Sequence, residues 1–521
     1  MCALSAPGAA QSPDNAVLGA AVPTPRGAVT GNAVVTDRET LLTALASVYR
    51  SNPRLQAERA RLREIDETYV QARAQGRPQV TAGGEASYTV VRTPEQDFGA
   101  DAPPGAENPF ADLFGISSGT TDGTPYAAQL NVVQPIYQGG RVGALKRQAK
   151  AAILAARAGL ESAENDLFLS AASAYVDVLR DTDAAAIRRN NVRVLMRQLD
   201  AAETRFEVGE GTRTDIAQSQ ARLAAAQAGL AQAEAALDVS EAAFARVVGR
   251  APGPLSPAPD FVLPANLGEA VARARSNNPQ LLAAYYNERA GAAAIDVAKA
   301  AGRPTVSLNG TASAAREQIL GIDQTDQASL TARVSIPIFS GGANRSRVRQ
   351  AKNARTRLAY ETRDTERAVE EAVAQIWAQL QAARAVLASS RRQVEAAEVA
   401  FEGVTLEQQV GTRDQLDVLN AEQEVLDARL GVINAQRDVD AAGFRLLAVI
   451  GVFDADGIPL PVEGFDAGDY LAAIAHDGFE RLRDRVTFQP VREAPEPRVE
   501  MGPPALEPPL PPEPDSVIKL D

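Results

Sequence analysis

Apolar positions along this 521-residue chain follow a helical period over most of its length and switch to a period of two in four short runs. In the first run Val80, Ala82, Gly84, Ala86, Tyr88 and Val90 fall on one side, with Thr81, Gly83, Glu85, Ser87 and Thr89 on the other. Ala128, Leu130 and Val132 oppose Gln129 and Asn131 in the second. Val306, Leu308, Gly310 and Ala312 alternate with Thr305, Ser307, Asn309 and Thr311 in the third. The fourth sets Ala328, Leu330, Ala332, Val334 and Ile336 against Ser329, Thr331, Arg333 and Ser335. This predicts strands over 80–91, 127–137, 305–316 and 328–338, each with one apolar and one polar face. A run of about ten such residues has the length that crosses a bilayer obliquely. The alternation by itself also fits two half-buried hairpins on a soluble domain.

Helical periodicity predicts helices over 40–75, 141–207, 214–248, 267–302, 343–409 and 414–450. Asp37 is a candidate cap for the first, and Asn52-Pro53 breaks it. The stretches 141–207 and 343–409 contain no proline, and at about 1.5 Å per residue each would be roughly 100 Å long. Heptad seams of alternating small and large residues, such as Ala149, Ile153, Ala156 and Leu160, suit close coiled-coil packing. Each long helix ends at a glycine turn and is followed by a return helix about half as long. The helices 40–75 and 267–302 would fill the remaining length by stacking end to end on the return helices.

The elements come in the same order twice because the chain is duplicated. Asn52-Pro53 and Arg77-Pro78 recur 226 positions on as Asn278-Pro279 and Arg303-Pro304. Gln134-Pro135-Ile136-Tyr137-Gln138-Gly139-Gly140 recurs 202 positions on as Ile336-Pro337-Ile338-Phe339-Ser340-Gly341-Gly342. The difference of 24 residues places a longer loop in the first copy, over 93–125, where proline and glycine leave no room for a regular element. The organisation that follows is a signal remnant and lead-in over 1–36, a first repeat over 37–250 and a linker over 251–266. A second repeat covers 267–452, a further segment 453–488 and a disordered proline-rich tail 489–521.

Composition narrows the chemistry. One cysteine, Cys2, and one histidine, His476, cannot build a metal cluster, a disulfide or a Cys–His nucleophile pair. A net charge of −13 argues against a nucleic-acid surface. Neither a cofactor nor enzymatic activity is expected. Residues 2–11, with small residues before Gln11, read as the tail of a truncated signal sequence, and the alternative is that Cys2 carries a lipid. No run of 18 apolar residues exists, so a membrane crossing would have to be a β-barrel. Four strands cannot close a barrel. Three copies would supply twelve strands and, beneath them, a ring of stacked helices.

The duplicated Asn-Pro and Arg-Pro pairs, the Pro-Ile-aromatic-x-Gly-Gly segments and Val410-Gly411-Thr412-Arg413 with Leu416-Asp417-Val418-Leu419-Asn420-Ala421-Glu422 resemble the TolC family of outer-membrane channel proteins. The likeness covers residues 38–452. It implies a mainly α fold with a pair of membrane β-hairpins: a homotrimeric channel-tunnel with a 12-stranded β-barrel and a long α-helical barrel, set in outer-membrane lipid and reaching into the periplasm. Such a channel is the exit duct of type I secretion or multidrug efflux. Its implied partners are a periplasmic adaptor and an inner-membrane ABC or proton-driven exporter. The resemblance assigns Asp215, Arg413, Asp417, Gln408 and Asn420 to a periplasmic gate, with Gln408 standing where the family has a Tyr and Asn420 where it has an acid. Val208, Gly209, Val410, Gly411 and Thr412 become adaptor-docking turns. Pro135, Gly139, Gly140, Pro337, Gly341 and Gly342 become barrel-to-helix junctions.

The same turn residues have a plain structural reading. Gly209 and Gly411 suit helix C-termini, and Thr212-x-x-Asp215 and Thr412-x-x-Gln415 read as capping boxes. The competing assignment is a periplasmic adaptor with helical hairpins, which normally carries one hairpin rather than a duplicated pair. A trimeric coiled-coil adhesin would need no return helices.

Overall fold

A computed structural model describes residues 38–93, 119–319, 322–455, 457–462 and 464–475. The expected lead-in with Cys2, most of the 93–125 loop, His476 and the tail lie outside the described residues. The first copy runs α1 (Leu41–Ser51), α2 (Pro53–Ala74), β1 (Gln79–Ala86), β2 (Thr89–Thr93), β3 (Gly119–Gly123), β4 (Tyr126–Gln138), α3 (Arg141–Glu207) and α4 (Arg213–Val248). The second runs α5 (Leu267–Asn277), α6 (Pro279–Ala300), β5 (Thr305–Ile319), β6 (Ile322–Ser335), α7 (Ala343–Gln409) and α8 (Gln415–Val449), and a short α9 (Asp469–Ala475) follows.

The elements form a wall of four columns. Its sheet is antiparallel in the order β1-β4-β5-β6. Below the sheet the helices pack in the order α2-α3-α6-α7, and lower still α4-α3-α8-α7. The order is the same at each level because α2 feeds β1, β4 feeds α3, α6 feeds β5 and β6 feeds α7 through short connections. Across the sheet Val80, Val132, Gly310 and Leu330 stand abreast, as do Ala82, Leu130, Ala312 and Ala328. The opposite face aligns Thr81, Asn131, Thr311 and Ser329, with the last two hydroxyls 2.7 Å apart. Pairing thus collects four weak alternations into one apolar and one polar surface.

Several strand boundaries differ from the sequence expectation. The first strand breaks at Ser87-Tyr88, and β2 pairs with β3, which lies inside the stretch expected to hold no regular element. Backbone pairing with Thr89–Thr93 outweighs the poor strand propensity of a glycine-bounded segment. The β5–β6 hairpin is tighter than expected, with Ile319 facing Ile322. β6 ends at Ser335, short of 338, because its one partner within the chain begins at Thr305. β4 has β5 beside it and continues to Gln138 through a bulge at Pro135–Tyr137. At the other end of the first repeat Thr40, not Asp37, caps α1, in a reciprocal pair with Thr43.

Each half-height column is a splice of two helices. Asn52 caps α2 by accepting from Arg54 N at 2.9 Å, while its Nδ2 donates to Val247 O, at the end of α4, at 2.8 Å. Asn278 repeats the arrangement, accepting from Leu281 N at 3.0 Å and donating to Val449 O of α8 at 2.8 Å. One amide therefore satisfies a bare N–H at one helix start and a bare carbonyl at another helix end. Pro53 and Pro279 follow at the first helical position, where a missing N–H costs nothing. The main core surrounds these splices, with Phe168 and Tyr175 of α3, Phe244 of α4, Phe444 of α8 and Phe453 all buried. Phe444 and Phe453 stack at 5.6 Å, and Phe168 meets Phe453 edge-on at 6.3 Å.

Replacing Asn52 or Asn278 by Ala removes a cap and leaves a buried carbonyl without its donor, so each is expected to cost about 2 kcal/mol. Asn→Asp keeps the cap but loses the donor, and is expected to recover only part of that. Denaturant titration of the four variants tests this. Full recovery by Asp would show that the splice to the return helix carries no energy.

Candidate functional site

The two hairpin tips are built from similar turns with different chemistry. At the first, Val208 ends α3 and Gly209 takes φ +85°, letting Glu210 N reach Arg205 O at 2.8 Å. Thr212 then caps α4, with Asp215 N donating to its hydroxyl at 3.2 Å and Asp215 Oδ2 accepting from Thr212 N at 2.9 Å. At the second, Gly411 takes φ +81° and Thr412 N reaches Glu407 O at 2.9 Å. The cap of α8 is Asp414, whose Oδ1 accepts from Asp417 N at 2.9 Å, and not Thr412 as the sequence pattern suggested. Thr412 instead donates its hydroxyl to Glu407 O at 2.8 Å, and Asp414 then takes the capping position. Val208 and Val410 project from the tips at 68% and 75% exposure, two apolar knobs with no covering side chains.

The sequence-derived gate residues are near one another but are not paired as expected. Arg413 donates to Glu407 at 3.0 Å and approaches Asp417 at 3.5 Å. These two carboxylates, Glu407 first, hold its guanidinium above the ordinary value. Asp215 is engaged by Thr212 within its own turn, and the described residues of one chain contain no Arg413–Asp215 contact. Gln408 donates to Gln415, which also accepts from Arg205 of α3 at 3.1 Å. Asn420 accepts from Arg222 of α4 at 2.8 Å. Arg205, Arg222 and Glu407 therefore belong to the site and were not singled out from sequence, and Gln415, expected only as half of a capping box, instead accepts from Arg205 and Gln408. Arg205 sits at the end of α3 opposite the return of the other copy, and only the packed hairpins show that relation.

Just above the tips, α3, α7 and α8 enclose a cavity of about 320 Å³ lined by Asn190, Phe401, Glu402, Val425, Glu422 and Arg429, among others. Glu422 is 9% exposed and accepts from Gln198 of α3 at 2.5 Å. Burial pushes its carboxyl up to about 7, against the opposing pull of Gln198 and Arg197. At the other end of the long helices, Gly139 takes φ +62°, and a Cβ there would lie 2.7 Å from Arg303 Cβ. Arg303 donates to Gly139 O at 3.0 Å, closing β4 and α3 against the end of α6. Gly341 and Gly342 repeat the backbone, with φ +57° and +86°, but an added Cβ at either meets nothing within 4 Å. Pro135 lies in the β4 bulge, whereas Pro337 lies beyond the end of β6.

A family model described as outer membrane efflux protein matches residues 44–250 and 270–452. The outer membrane efflux protein BepC of Brucella suis biovar 1 is 32% identical over 456 residues, covering 87% of this chain and 93% of that one. The alkaline protease secretion protein AprF of Pseudomonas aeruginosa is 25% identical over 363 residues, covering 66% and 73%. Among solved structures, CusC superposes with a TM-score of 0.66 at 17% identity, covering 83% of this chain and 97% of that one.

Because folded Glu422 holds a proton up to about pH 7 and the unfolded chain releases it near 4.5, folding stability falls as pH rises through that window and a charge must be held in the buried site. Glu422→Gln should raise the unfolding midpoint at about pH 8 by the equivalent of about 1–2 kcal/mol and change it little at about pH 5. Thermal melts at the two pH values measure the difference. An equal effect at both would mean Glu422 is not the titrating group.

Proposed function

The chain belongs to the outer membrane efflux protein family, and from that membership we propose that three copies close into one pore with twelve strands and a gated helical tunnel. The chain is an outer-membrane channel that serves as the exit duct of efflux and type I secretion. The periplasmic-adaptor reading finds no support, since the match extends over both repeats.

The observation that carries trimer closure is the pair of unmatched edges. At every level the wall ends in β1, α2 and α4 on one side and in β6 and α7 on the other. α3 and α7 each have 67 residues, yet 22 of α3 are buried and only 6 of α7. An open sheet edge in hydrocarbon costs several kcal/mol per unpaired group, which another strand must relieve. The duplication says which strand. Arg77 is the first-copy equivalent of Arg303, so Arg77 of one chain is expected to close on Gly341-Gly342 of its neighbour as Arg303 closes on Gly139-Gly140.

At the tips, the exposed Val208 and Val410, with Gly209, Gly411 and Thr412, offer an apolar docking surface for a periplasmic adaptor. The adaptor links the duct to an inner-membrane transporter. The gate is held inside each chain by Arg222–Asn420 and Arg205–Gln415. Between chains, Arg413 reaches the free oxygen of Asp215, while Asp417 places a ring of carboxylates near the axis that favours cations. Gln408 contributes a neutral hydrogen bond.

Two measurements test this. A disulfide between Arg77→Cys and Ser340→Cys should give crosslinked dimers and trimers on non-reducing gels, and monomers alone would overturn the arrangement. Arg413→Ala combined with Asp215→Ala should raise single-channel conductance in planar bilayers several-fold. Parental conductance would remove that pair from the gate.

A further inference from the structure

Charge along the long helices is not spread evenly. In α7 residues 343–357 carry six basic and no acidic side chains, and in α3 residues 141–152 carry four and none. Further down the sign reverses, with Glu361, Asp364 and Glu366 in one copy and Glu161, Glu164 and Asp166 in the other. The reversal falls at nearly the same distance from each Gly-Gly, about 30 Å at 1.5 Å per residue. This chain has a net charge of −13, so such a collar is a local feature and not a consequence of overall composition.

The collar opposes the helices that carry it. Both α3 and α7 begin with no acidic residue in the first turn, although a helix start favours anions and disfavours cations. Arg141, Arg345, Arg347, Arg349 and Lys352 are exposed and meet no carboxylate within 4 Å among the described residues. At this height the far edge of the wall is the end of α2, which brings Arg73 and Arg77. A neighbouring chain closing there would bring cations to the first turns of α7, while the acids of α2, Glu64, Asp66 and Glu67, lie lower, toward Arg355 and Arg357.

Directly above the collar stand Ile136, Tyr137, Ile338 and Phe339, the last two 94% and 89% exposed. Tyr137 pairs with Val306 of the apolar face, Ile136 lies in the β4 bulge, and Ile338 and Phe339 lie just beyond the sheet. Aromatic residues mark the edge of the apolar band in transmembrane barrels. The first three turns of α7, as far as Lys352, lie within about 15 Å of that edge, the depth of a headgroup layer plus one Debye length.

We propose that this collar binds the phosphates of anionic phospholipids in the periplasmic leaflet of the outer membrane, fixing the height of the channel in the bilayer. The proposal rests on the membrane placement of the sheet given above. Arginine suits the task because its planar guanidinium engages phosphate oxygens in pairs.

The test uses the full chain purified in detergent, with phosphatidylglycerol and phosphatidylcholine as the lipid probes and native mass spectrometry as the readout. Phosphatidylglycerol should be retained over phosphatidylcholine by on the order of tenfold or more at low salt, with the preference falling as salt rises. A variant combining R345Q, R347Q, R349Q and K352Q should lose most of the preference. A variant combining R384Q and R392Q, lower on the same helix, should keep it. No preference in the parent, or full retention by the collar variant, overturns the proposal. So does a collar variant that leaves lipid retention unchanged and shifts ion selectivity in planar bilayers, because the cations would then line the pore. Channel formation by every variant in the same bilayers would show that the exit-duct reading stands whichever way the lipid result falls.

Discussion

Helix ends are the constraint on which this architecture depends. A column that reaches from the sheet to the tips must be made of two helices in its return half, and every join exposes unpaired N–H and C=O groups in the middle of the core. Asn52 and Asn278 resolve both sets with one side chain each, 8% and 5% exposed. Because the amide donates and accepts at once, it aligns the two axes and also caps them. The aromatic cluster of Phe168, Phe244, Phe444 and Phe453 can then pack around a continuous column and not around a gap. An Asn-Pro pair in a sequence reads as an interruption. Here it is the means by which two helices behave as one.

The remaining features follow from building a wall with two open edges. α3 is surrounded by partners and buries residues along its full length, while α7, of equal length, is the border of the chain. The same asymmetry appears at the junctions, where Gly139 is pressed against Arg303 and Gly341 faces open space. It appears again in the sheet, where β4 runs through its proline and β6 stops before its own. Differences between two copies of one unit therefore mark where the unit meets its own kind and where it meets the chain's boundary. Charge has a comparable division: basic below the apolar face, acidic further down, and polar cross-links such as Arg437–Asp177 at 2.7 Å joining the two hairpins at mid-height.

Much of the fold was legible because its signals are local or repeated. Period-two runs around Leu130 and Leu330 identify amphipathic strands, proline-free stretches identify long helices, and the Gly-Gly pairs identify where one changes into the other. β3 was not legible, since Gly119–Gly123 has no strand pattern and acquires its conformation by pairing with Thr89–Thr93. The tip was legible in part. Thr212 caps as its spacing suggests, but the second turn is capped by Asp414, which stands 202 positions on from Thr212, while Thr412 aligns with Glu210 and bonds back to Glu407 O.

Sequence by itself determined the duplication, the order of elements, the apolar and polar faces and the residue types at each tip, because these depend on neighbours a few positions apart or on comparison of one copy with the other. Tertiary structure alone decided which side chains meet. Gln198 facing Glu422, Arg222 facing Asn420 and Arg413 turning to Glu407 are contacts between helices more than 190 residues apart or choices among competing carboxylates. Such choices depend on the rotation of one helix against the next, which no local periodicity encodes. The raised proton affinity of Glu422 has the same origin, since only packing of α3 and α7 over α8 removes it from water.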